Sequence, residues 1–255
     1  MTFSCMKVVV SLTTIPPRFQ YTSVIIKSLC GQACHEVWLN IPKKYNRFPE
    51  WDGSIPPEFT NLDPKFKLNI VDKDYGPGTK FIGPALQLDP DDIIIYVDDD
   101  TNYSPKLATN LLKWWKTDQC SAWGLSGFMF KNYFKGQYPR QHGAEVDVLE
   151  GYGGVLVKAG WVQKVLPEFE ELLEVTWHDD MILCNLLSKL GTPRRTLFTP
   201  DMNLNDISQY QYGFESDALH HVAGGSHTEN NKKILKGFVD KGKMYYSFNV
   251  ASLEN

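Results

Sequence analysis

Four short apolar runs in the first part of the chain constrain its fold more than any other feature. They read KVVVSL (7–12), EVWLNI (36–41), KFKLNIV (65–71) and DDIIIYV (91–97). Helical stretches, notably YTSVIIKSLCGQA (21–33), separate several of them. Apolar strands that alternate with helices are typical of a parallel sheet covered on both faces. The sequence therefore predicts an α/β fold with a mostly parallel central sheet flanked by helices.

The second half of the chain has a less regular pattern, in which helices are predicted near residues 106–118, 158–174 and 179–190. Residues 42–64 are rich in proline and aromatic side chains, which predicts a long loop. In open α/β sheets, ligands bind outside the carboxyl ends of the strands. We therefore expect functional residues in the segments that follow the predicted strands.

The composition excludes several classes of function. The net charge of −4 argues against a general binder of nucleic acid or of anionic membranes. Five cysteines without a C-x-x-C pair argue against a disulfide framework and a zinc site. Cys30 and Cys34, four residues apart on a predicted helix, are expected to be packed thiols. The amino-terminal apolar run is too short for a membrane span or a signal peptide, so we expect a cytoplasmic location.

The stretch IIIYVDDDTN (93–102) places three consecutive aspartates directly after a strand. Three carboxylates at one strand end repel each other unless solvent, a basic partner or a metal ion offsets their charge. Closely spaced oxygen ligands suit a hard divalent cation such as Mg²⁺ or Mn²⁺. A solvated turn, in which one aspartate caps the following backbone, is the alternative. The position after a buried strand favours the metal.

Two enzyme classes place aspartates at such a strand end. A phosphatase of the haloacid dehalogenase type requires threonine or valine four positions after the first aspartate, and here that position is Asn102. The metal-dependent glycosyltransferases have a D-x-D motif after an apolar strand midway through the chain. Asp98, Asp99 and Asp100 satisfy this second pattern.

The segments VVVSLTTIPPRF and DYGPGTKFIGPAL, followed by D-x-D, a glycine-rich segment and an acidic helix start, carry a family resemblance. Over roughly residues 7–191, the chain resembles nucleotide-sugar-dependent glycosyltransferases of the GT-A fold and is similar to small glycosyltransferases of large algal viruses (chloroviruses). The resemblance implies one GT-A domain over residues 1–255. Its nucleotide-binding half spans about 1–103 and its acceptor and catalytic half about 104–255. For a viral protein, the location would be the host cytoplasm.

The segment TWHDDMILCNLLSKLG (176–191) resembles the E-D-x-x-x-C-x-x-L-x-x-x-G segment of inverting GT-A enzymes, whose acid at the helix start is the general base. Asp179 takes the place of the glutamate, and Asp180 matches the aspartate without a gap. A capping box formed by Thr176 and Asp179 is an alternative explanation of the same residues. We expect Asp180 to be the base and Asp179 to support the helix start, although an exchange of these roles stays open.

Hydroxyl, carboxylate and cationic side chains near the predicted strand ends suit a nucleotide diphosphate. Glycines let the main chain approach a donor sugar closely, but they are equally typical of a bulge or hairpin turn. Each residue taken alone is also compatible with ordinary surface chemistry. The predicted donor-binding residues are Thr13, Arg18, Asp72, Tyr75, Lys80, Asp98, Asp99, Gly153 and Gly154.

The resemblance also implies a metal cofactor, Mn²⁺ or Mg²⁺, bound by Asp100 and Asp98. His227 or His221, from a histidine-dense segment, is predicted to complete the ligands. The co-substrate is a nucleotide sugar, with UDP favoured by family habit, and the acceptor is a hydroxyl of a glycan or glycoprotein. A sugar nucleotidyltransferase and a non-catalytic carbohydrate-binding module are the alternatives; the first normally has a glycine-rich segment after strand one, which SLTTIPPR lacks.

Overall fold

The computed structural model describes residues 6–60, 62–131, 135–137, 139, 141–197, 208–209 and 227–246. The strands are β1 (Val8–Thr13), β2 (Glu36–Pro42), β3 (Phe66–Val71), β4 (Ile93–Tyr96), β5 (Thr101–Asn102), β6 (Ala122–Gly124), β7 (Gly127–Lys131), β8 (Lys135–Gln137), β9 (Val148–Leu149), β10 (Val155–Lys158), β11 (Arg194–Thr196) and β12 (Ser208–Gln209). The helices are α1 (Phe19–Cys30), α2 (Thr79–Ala85), α3 (Leu107–Trp115), α4 (Ala159–Leu172), α5 (Asp179–Lys189) and α6 (His227–Asp240).

Seven strands form the central sheet, in the order β11-β6-β10-β4-β1-β2-β3. Strand β10 runs antiparallel to both of its neighbours, and every other pair in this sheet is parallel. The prediction of an α/β fold with a mostly parallel central sheet flanked by helices is confirmed. The reversed strand β10 was not predicted, because an apolar run does not reveal the direction in which its strand enters the sheet.

The core lies on both faces of the sheet, since the side chains of a strand alternate between the faces. Val9 of β1 packs in one cluster with Phe81 of α2 and Val162 of α4. Val10 of β1 packs in the other cluster with Ile25 of α1 and Leu111 of α3. Helices α2, α4 and α5 therefore cover one face, and α1 and α3 cover the other.

Two local predictions need correction. Helix α1 ends at Cys30, so Cys34 lies beyond the helix and not on it. Both thiols are free, and burial raises the pKa of Cys30 to about 12 and raises that of Cys34 as well. Helix α2 was not predicted, because Gly76-Pro77-Gly78 and Pro84 obscure its pattern.

No helix within the described parts of the chain is long and apolar enough to cross a membrane.

Replacing Phe81 by alanine should lower the free energy of unfolding by about 3–5 kcal/mol, because its ring is lost from a closed aromatic contact. That ring is fully buried, with its centroid 5.1 Å from that of Tyr96 and 5.5 Å from that of Phe169. Urea unfolding measures the change. Leu86→Ala, at an exposed position just after the same helix, is the control and should change the stability by less than about 0.5 kcal/mol. Equal losses in the two variants would contradict the packing described.

Candidate active site

The three aspartates after β4 are held by basic and hydroxyl groups and are not left in a solvated turn. Arg18 Nη1 lies 2.7 Å from Asp99 Oδ1 and 3.2 Å from Asp100 Oδ2. The Thr14 hydroxyl donates to Asp99 Oδ2 at 2.5 Å. Asp99 is buried, and both of its carboxylate oxygens have partners inside the protein, Arg18 for Oδ1 and Thr14 for Oδ2. The arrangement assigns Asp99 to holding the segment in place.

Arg18 reaches these aspartates because the chain turns sharply after β1. Pro16–Arg18 form a single 3-10 turn that leads directly into α1. The Thr22 hydroxyl, one turn into that helix, donates to the Arg18 carbonyl at 2.9 Å and lies 2.9 Å from the Thr14 hydroxyl. Arg18 is therefore held at its main chain by Thr22 and at its guanidinium group by the two ion pairs.

Lys80 links the aspartates of the strand end to the acidic start of α5. Its ammonium nitrogen lies 2.7 Å from Asp98 Oδ1 and 3.0 Å from Asp179 Oδ2. Only 3% of the Lys80 side chain is exposed. Two segments that are 81 residues apart in sequence therefore meet at one buried cation.

Asp180 lies beside this contact but has different partners. The Gly151 main-chain N–H donates to Asp180 Oδ2 at 2.8 Å, and the Tyr96 hydroxyl lies 3.4 Å from Asp180 Oδ1. A Cβ atom on residue 151 would be 2.7 Å from Lys80 Nζ and 3.3 Å from Asp180 Oδ1. Glycine is therefore needed there to let the main chain approach the charged groups.

The electrostatics of the site favour the arrival of positive charge. Burial, followed by the charges of Asp99 and Asp98, raises the pKa of Asp100 to about 6. Burial and the neighbouring Asp179 raise the pKa of Asp180 well above its ordinary value. Burial alone would lower the pKa of Lys80, but the charges of Asp179 and Asp98 raise it well above its ordinary value. In the network described, two cations face five carboxylates, which is a formal excess of three negative charges when every carboxylate is ionised.

The donor chemistry of Asp98 and Asp100 fits a hard divalent cation, although the described residues contain no ready-made group of three or more His, Cys, Asp or Glu ligands. Mg²⁺ is commonly held by one or two carboxylates together with substrate phosphates. His221 lies outside the described residues. His227 is the first residue of α6, but its side chain is also outside the described part. The two histidine ligands therefore stay predictions.

Several predicted donor-binding residues have other partners in the structure. The Thr13 hydroxyl donates to the Asn40 carbonyl at 2.8 Å, which is a contact between two strands. The Asp72 side chain is 87% exposed and pairs with Lys43, so it does not join the acidic network. Tyr75 is buried in the core, where its hydroxyl contacts Glu170 and its pKa rises to about 12, mainly because of burial.

The two predicted glycines support packing at this end of the sheet. A Cβ on Gly153 would lie 2.9 Å from the Ser126 main-chain nitrogen. Gly154 has a φ of +83°, and a Cβ there would lie 3.0 Å from Leu107. Their neighbour Gly151, in the same 3-10 turn as Gly153, makes the direct contact with Asp180.

The capping box between Thr176 and Asp179 is not formed. Helix α5 has His178 as its N-cap, without a side-chain capping bond, and the Thr176 hydroxyl accepts the N–H of His178 at 3.1 Å. The Asp179 carboxylate points to Lys80 instead. An ion pair with a buried lysine from a distant segment has replaced the local bond that the sequence pattern indicated.

Sequence reasoning did not identify Thr14, Tyr96 or Gly151 as part of this arrangement. Thr14 follows the predicted Thr13 directly, and only the direction of the chain at the end of β1 decides which hydroxyl reaches Asp99. Tyr96 belongs to an apolar run and was interpreted as a core residue. Gly151 lies in the glycine-rich segment that was singled out, and the need for close approach was the available signal.

Comparison with known proteins adds no relative: no family model matches the chain, and no curated protein shows significant sequence similarity to it.

Lys80→Met should lower the free energy of unfolding at neutral pH by about 3–5 kcal/mol, because it leaves buried carboxylates without their cation. Chemical unfolding followed by circular dichroism measures the effect. Lys43→Met is the matched control, since this exposed ion pair contributes at most about 1 kcal/mol. A Lys80→Met variant as stable as the control would show that the buried contacts do not support the fold.

The same variant should respond to pH in a defined direction. The pKa values of Asp179 and Asp180 are raised in the folded chain, so this chain binds more protons than the unfolded chain, and stability falls as pH rises above the ordinary aspartate pKa. Lys80 opposes both shifts, so its removal should steepen this fall. The stability deficit of Lys80→Met should therefore be smaller at about pH 5 than at about pH 8. A deficit that grows on acidification would contradict this sign.

Proposed function

We propose that this chain is a metal-dependent glycosyltransferase of the GT-A type. It transfers a sugar from a nucleotide-diphosphate sugar, with UDP as the nucleotide, to a hydroxyl of a glycan or glycoprotein, with inversion at the anomeric carbon. The observation that carries the proposal is the double contact of Lys80 with Asp98 and Asp179. It joins a D-x-D strand end and an acidic helix start, the two parts that such a reaction requires in one place.

The excess of negative charge explains how the donor would be held. A diphosphate is itself anionic, so it binds beside five carboxylates only when a cation lies between them. Asp98 and Asp100 are the residues that would hold Mn²⁺ or Mg²⁺. When bound, such an ion supplies positive charge to the departing diphosphate. Arg18 fixes Asp100 and Lys80 fixes Asp98, so each of the two ligands is held by its own cation.

Asp180 is the better placed of the two helix-start acids to act as general base. Asp179 is only 6% exposed and is committed to the Lys80 ion pair, whereas Asp180 is partly exposed. The Gly151 N–H fixes Oδ2 of Asp180, while among the described residues the Oδ1 atom has only the long contact with the Tyr96 hydroxyl. Oδ1 would accept the proton of the acceptor hydroxyl. At the same time the acceptor oxygen would bond to the anomeric carbon, and the bond between that carbon and the diphosphate oxygen would break.

Asp100→Asn should abolish stabilisation by UDP-sugars that depends on Mn²⁺, because one of the two proposed metal ligands is lost. Its melting temperature without ligand should stay near that of the wild type or rise, since one repelling charge is removed. Thermal shift with and without Mn²⁺ measures both effects; a ligand at 100 times its Kd stabilises by about 2.7 kcal/mol. Full metal-dependent turnover in Asp100→Asn would contradict the assignment.

Asp180→Asn should keep donor binding but lower kcat by about 10²–10⁴-fold, because the acceptor hydroxyl loses its general base. Release of UDP and formation of the glycosylated acceptor measure transfer, and calorimetry measures donor affinity. Asp118→Asn is the control, because Asp118 is a hydrogen-bonded aspartate with partners in a separate cluster, Ser121 and Arg195. Wild-type transfer by Asp180→Asn together with an inactive Asp179→Asn would exchange their roles, and activity in both would exclude this pair as the base.

A further inference from the structure

A proline inside helix α2 changes how the main chain at Lys80 is held. The carbonyl of residue 80 would normally accept the N–H of residue 84, four residues later. Residue 84 is proline, which has no N–H to donate. The Ser11 hydroxyl donates to the Lys80 carbonyl instead, at 2.5 Å and in a fully buried position. The main chain at Lys80 is thereby bonded to strand β1.

Ser11 also holds the other member of the ion pair. Its main-chain carbonyl accepts the N–H of Val97 at 2.9 Å, and Val97 directly precedes Asp98. The Lys80 ammonium in turn contacts Asp98 at 2.7 Å. Ser11 of β1 therefore bonds to the chain at Lys80 through its hydroxyl and next to Asp98 through its main-chain carbonyl.

A row of three amides, buried at Asn40 and Asn69 and exposed at Gln87, gives the Ser11 hydroxyl its direction. Asn40 Nδ2 donates to Ser11 Oγ at 2.8 Å, Asn69 Nδ2 donates to Asn40 Oδ1 at 2.8 Å, and Gln87 Nε2 donates to Asn69 Oδ1 at 2.6 Å. Lys67 Nζ, which can only donate, contacts Gln87 Oε1 at 3.0 Å and so orients the first amide. We call Asn40, Asn69 and Gln87 the amide row. Because Ser11 Oγ accepts from this row, its own proton is directed to the Lys80 carbonyl.

Helix α2 lies against the amide row without a gap. A Cβ on Gly83 would be 2.5 Å from Asn40 Oδ1 and 2.8 Å from Asn40 Cγ. Both groups are fully buried, so a side chain at position 83 would push the helix away from the strands. Glycine at 83 and proline at 84 therefore serve one contact: the first lets the helix approach, and the second leaves the Lys80 carbonyl to Ser11.

We propose that Ser11, oriented by the amide row, is a positioning residue that places the Lys80 ammonium between Asp98 and Asp179. The proposal deepens the proposed function and rests on it for the catalytic meaning of these contacts. Ser11 touches neither substrate nor the reacting atoms in this assignment; it acts through Lys80.

The first test is Ser11→Ala, with the accessibility of Lys80 as a readout that needs no substrate. Acetic anhydride modifies exposed amines, and mass spectrometry locates the modified lysines. Loss of a buried hydrogen bond should raise the rate of labelling at Lys80 by about tenfold. Labelling of Lys43, whose side chain is 63% exposed, should not change. With UDP-sugar and Mn²⁺, kcat should fall and the KM for the donor should rise, because Lys80 holds Asp98, one of the two proposed metal ligands.

Pro84→Ala separates positioning from simple satisfaction of the carbonyl. In the Ser11→Ala background it returns an N–H at residue 84, so the Lys80 carbonyl regains a donor from its own helix. The melting temperature should recover, whereas fast labelling of Lys80 and the low kcat should persist, because the bond to β1 is still absent. Recovery of all three would overturn the proposal and leave Ser11 with a purely structural role.

Two further variants complete the test. Ser121→Ala removes another buried hydroxyl, which donates to Asp118 at 2.6 Å, and should leave Lys80 labelling at the wild-type rate. Gly83→Ala keeps Ser11 but presses on Asn40, and it should expose Lys80 as Ser11→Ala does. It also carries the test if Ser11→Ala does not fold. The proposal would be overturned if Lys80 were labelled at the wild-type rate in folded Ser11→Ala or in folded Gly83→Ala. It would also be overturned if Ser121→Ala exposed Lys80 as much as Ser11→Ala does.

Different outcomes bear on sugar transfer and on the positioning of Lys80. A wild-type chain that releases nucleotide from no nucleotide sugar, but whose Lys80 becomes exposed in Ser11→Ala and Gly83→Ala, would contradict the proposed function and support the positioning of Lys80. A chain that transfers sugar normally with Ser11→Ala, and whose Lys80 stays protected, would contradict the positioning alone.

Discussion

The arrangement of the site depends on one buried ammonium group. Lys80 is almost entirely removed from solvent, and a charge in such a place is tolerated only when it is paired and hydrogen-bonded. Asp98 and Asp179 provide that pairing from two separate segments. If the ammonium group were lost, the carboxylates would have to separate, take up protons or bind another cation. Lys80 thus ties the start of α5 to the segment that follows β4.

The three consecutive aspartates are tolerated because two different cations divide them. Lys80 takes Asp98 with a compact ammonium group that also reaches Asp179. Arg18 takes Asp99 and Asp100 through one nitrogen of its guanidinium group. Neutralisation is nevertheless incomplete, because the raised pKa of Asp100, near 6, reflects burial and repulsion that Arg18 and Lys80 only reduce. Two of the explanations considered for the triplet, a basic partner and a metal ion, therefore do not exclude each other.

The parts of this site that depend on strand ends could be predicted from the sequence, and the parts that depend on partners could not. Apolar runs located β1 and β4, so the residues that follow them were expected to meet at one edge. The partner of Asp179 was out of reach, because Thr176 and Asp179 satisfy a local capping pattern and nothing local shows that Lys80 competes for the same carboxylate. Helix α2, which supplies that lysine, was missed because Gly83 and Pro84 within it are residues that normally interrupt helices.

Two residues of α2 that disfavour a helix are the ones that form its contacts with the neighbouring strands. Gly83 and Pro84 both disfavour a helix, yet they are the residues that let α2 approach Asn40 and give the Lys80 carbonyl to Ser11. Local preferences that conflict with the fold are expected where function requires them. The charge distribution leads to the same place. With every carboxylate ionised, the described network has a formal excess of three negative charges, and the whole chain has a formal net charge of −4, so the remainder is close to neutral. The formal excess of negative charge therefore lies where α2, β4 and α5 meet. This excess favours the binding of a cation at that point.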